Sequence, residues 1–379
     1  MKELVITQPK KKISINLNFL KHDIVFTISL ILALSSCVVQ TPKLEYINLE
    51  VMVSLFNLMI AIKALEELLV LDKFAISILS KSKHSRTVSA ILIFLSFISS
   101  MFVTNDVALL TFVPLTLIIS KKTNINMMET VILQTIAANI GSSITPMGNP
   151  QNLYIFSHYK LEATTFFSAV LLIGLIGLIL LLFSIKRLPN RDLKLNLPSV
   201  KLTSRRDTII WGIVLSFVIA SIFGLVSQLL ALLATLLVAV FVNRSLLIKI
   251  DYILLITFVC FFIFIGNVAN LDAVHSFASG YLTNRTSVYF SSIFLSQFIS
   301  NVPASILLSN FTGDWQALMV GVNIGGLGTL VASLASVISY KQYILAHPNQ
   351  SKAYLVKFSL YNFSFLFLLI LFQFFILSL

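Results

Sequence analysis

Apolar runs of roughly 17–25 residues recur along the whole chain, each long enough to cross a bilayer. The polar stretches between them are too short for a separate soluble domain. A chain patterned this way is an all-α polytopic membrane protein. Only 11% of its 379 residues are charged and 57% are hydrophobic, where a soluble domain carries about 25% charged residues. The start, MKELVITQPKKK, is basic and has no small-residue cleavage site after it, so it reads as a retained cytoplasmic segment. Cys37 and Cys260 fall inside apolar runs and read as packing residues.

The net charge of +12 reads as topology, not as affinity for nucleic acid. The pattern predicts nine crossings, at 23–41, 49–70, 127–157, 164–185, 208–224, 226–242, 252–268, 315–340 and 355–378, with apolar hairpins at 88–119 and 287–311. With the N-terminus inside, 23 of the 27 Lys and Arg residues fall in inner segments, and three, Lys43, Lys160 and Arg285, fall outside. Basic loops stay on the cytoplasmic side, which gives a cell-membrane protein with its N-terminus cytoplasmic and its C-terminus extracellular. The second hairpin has arms of about 13 and 8 residues, too short for a ~30 Å core, so it is re-entrant. The first has arms of about 16 residues, which length alone leaves open between re-entrant and spanning.

One predicted crossing contains NIGSSITPMGNPQN (139–152), whose prolines, glycines and amides suit the middle of a bilayer poorly. Its first half matches a second place in the chain: NIGSSIT (139–145) aligns with NIGGLGT (323–329). Upstream, FVTNDVA (102–108) aligns with FISNVPA (298–304), in the same order. By the charge count the first hairpin opens inward and the second outward. The chain therefore divides into a segment 1–22, a first repeat 23–185, a linker and connecting helix 186–225, and a second, inverted repeat 226–379. Irregular backbone at membrane depth is tolerated only where protein or a watery cavity surrounds it. Inverted repeats with interrupted helices at the midplane are the plan of a secondary transporter. The interruptions are where its site is expected.

The stretch TNDVALLTFVPL together with NIGSSITPMGNPQN resembles the ion transporter superfamily that includes arsenite permeases, citrate–metal transporters and divalent anion–sodium symporters. The resemblance covers nearly the whole chain. It implies a homodimer in which a scaffold holds a transport domain that moves as an elevator. In the divalent anion–sodium symporters a Ser-Asn-Thr triplet at each hairpin tip helps bind sodium and the substrate carboxylates. Here the corresponding triplets are Thr104-Asn105-Asp106 and Ser300-Asn301-Val302, which keep the hydroxyl and the Asn but depart at the third position.

Asp106 is an ionisable residue at a hairpin tip, with no Lys or Arg between Arg86 and Lys121. Such a residue in a membrane is expensive and usually functional; it reads as a cation ligand or proton acceptor, or else as a neutral carboxyl bonded to the turn. Asn105 and Asn301 offer both a carbonyl oxygen and an amide donor, with helix capping as their plain structural role. With Asp106 they form the candidate Na⁺ set. Gly141, Gly148, Gly325, Gly326 and Gly328 would let backbone approach a ligand, or else let helices pack closely. Thr104, Ser300, Asn139, Asn323, Ser142, Ser143, Thr145, Asn149, Gln151 and Thr329 complete the candidates, through hydroxyl or amide groups. The freed backbone groups of each interruption are expected to need an ion or substrate as partner.

Lys63, Glu66 and Glu67 read as a pair-forming cluster near a cytoplasmic helix end, and 72–86 as an interfacial amphipathic helix. P-loop, GxSxG, HExxH and Cys/His ligand spacings are all missing, so the chain does not read as an enzyme and needs no cofactor. The expectation is ion-coupled carriage of a small anion, a carboxylate or inorganic oxyanion, with Na⁺ or H⁺ as driver. The alternatives are a cation/proton antiporter, an arsenite-type efflux carrier or a channel.

Overall fold

A computed structural model of the chain describes residues 24–193, 197 and 199–377. The segment 1–22 and residues 194–196 and 198 of the basic linker lie outside the described residues. Among those described the protein is helical, with one isolated antiparallel bridge between His84 and Asp192 in place of any strand.

The first half runs α1 (Ile24–Val39), α2 (Leu49–Glu67), α3 (Val70–Leu79), α4 (Ser85–Val103), α5 (Asn105–Thr123), α6 (Met128–Ser142), α7 (Pro150–His158) and α8 (Ala163–Arg187). A connecting helix, α9 (Arg205–Ile222), follows. The second half has α10 (Gln228–Val242), α11 (Leu246–Lys249), α12 (Tyr252–Ala269), α13 (Asp272–Tyr281), α14 (Arg285–Ile299), α15 (Asn301–Ser309), α16 (Trp315–Gly325), α17 (Leu334–Ala346) and α18 (Ser351–Leu377). Side-chain caps mark many starts: Asn48, Ser204, Ser227, Asp251 and Asp314 each accept a backbone N–H of the first turn. Lys121–Lys122 and Lys186–Arg187 sit in the last turns of α5 and α8, where cations suit the helix dipole.

Among the described residues, four helices are long and apolar enough to cross a membrane by themselves: Ser85–Val103, Ala163–Arg187, Tyr252–Ala269 and Pro348–Phe375, the last including the short turn before α18. Val25–Val39 and Gln228–Val242 are shorter apolar helices. The expected crossing at 49–70 is a helix too, but Lys63, Glu66 and Glu67 crowd its end.

The hairpins differ in length. The arms α4 and α5 have 19 residues each, about 28 Å at 1.5 Å per residue, and so nearly match the ~30 Å core. The arms α14 and α15 have 15 and 9 residues, about 22 and 14 Å, short of it. The first hairpin is thus longer than its sequence pattern indicated, because its arms continue through the polar ends Ser85–Arg86 and Lys121–Thr123.

Both broad crossings expected to be interrupted are interrupted. The first breaks between α6 and α7 over 143–149; the second breaks between α16 and α17 around a single turn, Leu330–Ala332. Every residue from Thr130 to Ser143 and from Ala317 to Gly328 is buried, so each break is wrapped in protein. The helices α4 and α6 pack together, as do α14 and α16. Across the halves, α7 packs on α15 and α17 packs on α5. The second piece of each broken helix therefore lies against the second arm of the other half's hairpin.

The interfacial helix is shorter than expected over 72–86. It spans Val70–Leu79, entered through Leu69 at φ 59° and followed by a non-helical turn before α4. Phe74 is exposed while Ala75 and Leu79 are buried, and half-burial holds the Asp72 carboxyl above its ordinary range. The linker is strapped to the base of the first hairpin. Ser85 N donates to Arg191 O at 2.8 Å, Leu193 N to Lys83 O at 2.7 Å and Arg86 Nε to Leu188 O at 2.8 Å.

Candidate functional site

The two hairpin tips share an unusual backbone. Thr104 has φ 72° and ψ 153°, and Ser300 has φ 72° and ψ 154°. That region is almost reserved for glycine, and holding another residue there costs on the order of 1–3 kcal/mol. Directly after each strained residue an asparagine begins the second arm. Asn105 is well anchored: its N–H donates to Gly148 O at 3.1 Å, its Nδ2 donates to Asn139 Oδ1 at 3.1 Å, and its Oδ1 accepts from Asp106 N at 3.0 Å. Asn301 lies instead against Gly326, where a Cβ would stand 2.7 Å from its Nδ2.

The same contacts recur in the two halves. Thr145 Oγ1 donates to Met101 O at 2.6 Å, and Thr329 Oγ1 donates to Gln297 O at 2.9 Å. Met101 and Gln297 each stand three positions before their tip. Gly141 closes on Phe97 and Ser100, and Gly325 closes on Ile293 and Ser296, which again hold equivalent positions. Between halves the contacts are exchanged. Ser333 Oγ donates to Asn139 Oδ1 at 3.0 Å, and Asn149 Nδ2 donates to Asn323 Oδ1 at 3.1 Å. Ser333 and Asn149 are the N-caps of α17 and α7, each four positions after the shared threonine. Reciprocity of this kind is what a two-fold relation between two like surfaces produces. At the second tip, Ser300 Oγ reaches Ala332 O at 3.4 Å, beside Ser333.

The freed carbonyls correct one expectation. They are met by the protein's own amides. Asn152 Nδ2 faces Ser142 O, Ser143 O and Thr145 O at 3.4, 3.0 and 3.2 Å, and its Oδ1 accepts from Asn323 Nδ2 at 2.6 Å. Gln297 Nε2 donates to Gly325 O and Leu327 O at 2.8 and 3.0 Å, while its Oε1 accepts from Thr329 N at 2.9 Å. Sequence reasoning missed Asn152, Gln297 and Ser333. The repeat itself carried the signal for Ser333, four places after Thr329 as Asn149 is after Thr145. An amide in a buried arm beside a break was the signal for the other two.

Several candidates have structural partners. Gly148 sits against the Ser142 backbone, and Gly328, at φ 107°, fits beside Gln297. Ser143 Oγ bonds back to Ile140 O at 2.6 Å; Ser142 Oγ donates to Asn139 O at 3.0 Å and accepts from Asn149 at 3.2 Å. Gln151 is buried. Lys63 pairs with Glu66 at 3.0 Å and Glu67 with Lys249 at 2.6 Å; these contacts tie α2 to the α11 region and are not joined to the hairpin tips.

Two polar atoms at the centre are buried with no hydrogen-bond partner: Asp106 Oδ1 and Asn139 Nδ2. One is an acceptor and the other a donor, and they belong to neighbours in the Asp106–Asn105–Asn139 cluster. The helices α5 and α17 begin here without a side-chain cap on their N-cap residues, as α15 does at the second tip, whereas α7 is capped by Asn149. Uncapped N-termini favour anions, and an unpaired carboxylate oxygen favours a cation or a proton. The local donors are carboxylate, amide and hydroxyl oxygens, a set suited to a hard cation and not to a soft metal. Among the described residues no cluster of three His, Cys, Asp or Glu side chains could hold a metal ion.

A family model described as a citrate transporter matches residues 4–314, which include the first half and the second hairpin. An uncharacterized transporter of Methanocaldococcus jannaschii is 32% identical over 318 residues, covering 83% of this chain and 87% of the relative. Inner membrane protein YbiR of Escherichia coli is 29% identical over 304 residues, 78% of this chain and 80% of its own. A putative transporter, arsB, of Dictyostelium discoideum is 28% identical over 155 residues, 40% of this chain and 28% of that protein.

Proposed function

The chain belongs to the citrate transporter family, and from that premise we propose that this multi-pass membrane transporter is a secondary active carrier of a small anion, a carboxylate or an inorganic oxyanion. It is not an enzyme. Transport is driven by a Na⁺ or H⁺ gradient and proceeds by alternating access. The observation that carries the reading is the pair of buried, unpartnered atoms, Asp106 Oδ1 and Asn139 Nδ2, beside the starts of α5 and α17, whose N-cap residues make no side-chain cap. The helix starts attract the anion, and Asp106 takes the coupling ion. Thr104, Asn105 and Ser300, Asn301 present the two hairpin tips to it.

The exchanged contacts Asn139–Ser333 and Asn323–Asn149 support two halves of inverted topology around this centre. An inverted pair can rock or slide about a fixed site, exposing it first to one side and then to the other. The elevator form of that motion and a homodimeric scaffold follow from the resemblance of the sequence motifs. The inner N-terminus and outer C-terminus follow from the basic-loop count.

Counterflow in proteoliposomes tests the reading, with citrate, smaller carboxylates and inorganic oxyanions offered in turn, with and without Na⁺ and a pH gradient. One of these anions should accumulate against its gradient. Asp106→Asn keeps the shape but removes the charge, so it should abolish gradient-driven accumulation while gradient-free exchange persists. Accumulation unchanged in Asp106→Asn would remove Asp106 from coupling. The same carboxylate favours a second reading, a cation/proton antiporter; Na⁺-driven proton flux without any anion would select it.

A further inference from the structure

At the base of the first hairpin the starts of α4 and α6, the end of α8 and the second turn of α18 surround a cavity of about 200 Å³. Its lining includes Ser85, Asn126, Glu129, Thr130, Arg191 and Lys357. The Thr130 hydroxyl is bonded to that of Ser89 at 2.8 Å, and Asn126 Oδ1 accepts from Met128 N at 2.9 Å. Ser85 Oγ donates to Pro189 O and accepts from Arg191 N, both at 2.9 Å, so the strapping linker forms one wall. All of these helix ends lie on the side that the basic-loop count assigns to the cytoplasm.

The acidic groups around the cavity are met, and the basic ones are in excess. Lys357 Nζ donates to Glu129 Oε1 at 2.5 Å and the Tyr361 hydroxyl donates to Glu129 Oε2 at 3.3 Å. Asp192, next to Arg191, pairs with His84 at 2.9 Å. Arg191 is exposed, and among the described residues its guanidinium makes no ion pair. Arg86 and Arg187 add positive charge beside the linker, the first through its bond to Leu188 O and the second at the end of α8. Away from the cavity the surface turns apolar. The helices α8 and α18 pack together and leave Leu182 and Phe183, and Val356, Leu360, Phe363 and Phe367, exposed. The four on α18 follow at intervals of four, three and four residues and so share one face. The cavity is smaller than the ~300–1,000 Å³ of pockets for drug-sized ligands, which suits one phosphate-sized group and excludes a nucleotide.

We propose that this cavity holds the phosphate of an anionic phospholipid from the inner leaflet, whose acyl chains lie along the exposed apolar face of α18. The proposal goes beyond the transport reading and rests on the orientation that the basic loops give. Anionic lipids are concentrated in the cytoplasmic leaflet, and basic pockets between membrane helices on that side bind their headgroups. Arg191 can offer two parallel N–H groups to two phosphate oxygens. Lys357 has three donors, enough to keep Glu129 and reach the phosphate as well. A cationic rim and an apolar helix face within one site match the two ends of a lipid, whereas a soluble oxyanion would use the rim alone. Occupancy would join α18 to the linker and to the base of the first hairpin.

The test uses the full chain in detergent with added phosphatidylglycerol, and native mass spectrometry reads the lipid retained. Phosphatidylglycerol should be retained in preference to phosphatidylcholine, whose choline cancels the phosphate charge. Arg191→Gln should weaken retention about fivefold, the loss of one basic contact at a membrane surface, and Arg191→Lys should keep most of it. Arg244→Gln removes an exposed cation beyond the end of α10 and should behave as the parent. Melting temperatures without lipid should match the parent's, because the linker bonds to Ser85 through the Arg191 backbone. In the parent chain, phosphatidylglycerol with a photoreactive acyl chain should label α18 around Val356 and Leu360, a readout that holds even if Arg191→Gln folds poorly. Retention unchanged in Arg191→Gln, or labelling spread evenly over the other lipid-facing helices, overturns the proposal. Displacement of the lipid by an equal concentration of glycerol phosphate overturns the lipid as occupant and makes the cavity a soluble-phosphate site.

Discussion

Asn301 and Gly326 illustrate how much one missing methyl decides. A Cβ at 326 would come within 2.7 Å of Asn301 Nδ2, the far end of a side chain that can turn away. Gly326→Ala should therefore displace the amide without breaking the fold. Its melting temperature should fall by a few degrees at most, since the Asn301 amide can turn away and the Asn323 carbonyl oxygen, 3.3 Å from the added Cβ, needs to give only slightly. Affinity for the transported anion should fall on the order of tenfold, as in Asn301→Ala, if one hydrogen bond to a charged group worth about 1.5–3 kcal/mol is lost. Titration calorimetry or a scintillation proximity assay with the anion found by counterflow measures both variants. Parent-like affinity in both would move the site away from the second tip.

At the scale of an element, the two tips hold strain that their helices impose. Thr104 and Ser300 sit at the same positive φ, and glycine would adopt that conformation freely. Ser300→Gly should keep the hairpin and relieve part of the ~1–3 kcal/mol of local strain, offset by glycine's greater chain entropy of up to about 1 kcal/mol. A melting temperature equal to or above the parent's is the expected result in detergent. A loss of several degrees would mean that the hydroxyl bond to Ala332, and not backbone strain, dominates at that tip. The broken helices behave differently, because Asn152 and Gln297 satisfy their carbonyls from inside the protein. Those breaks are self-supporting, while at the centre Asp106 Oδ1 and Asn139 Nδ2 are buried without a partner.

At the scale of the whole molecule, the exchanged contacts and the crossed packing of α7 on α15 and α17 on α5 are the observations on which the proposed two-fold relation between halves rests. Orientation in the membrane is a separate prediction, carried by charge. After replacement of Cys37 and Cys260 by Ala, a cysteine at Lys160 or Arg285 should react with an impermeant maleimide added outside intact cells. One at Lys83 should react only after the membrane is opened. The reverse pattern would invert the topology.

Composition and apolar periodicity by themselves determined a multi-pass helical protein, because an apolar run of membrane length has no other stable environment. The repeated motifs also marked both breaks and both tips, since proline, glycine and asparagine punctuate a helix wherever it lies. Helix ends were less legible: α4 and α5 run on through polar residues, and the interfacial helix stops at Leu79, because boundaries depend on neighbours such as the strapping linker. The partners of the buried polar groups were decided by tertiary structure alone. Asn152, Gln297 and Ser333 are ordinary residues in the sequence, and they matter because folding aims them at another segment's carbonyl or amide. A hydrogen bond between residues far apart in the chain leaves no local pattern, so only the folded molecule could distinguish the met groups from Asp106 Oδ1, Asn139 Nδ2 and Ser336 Oγ, which remain unmet.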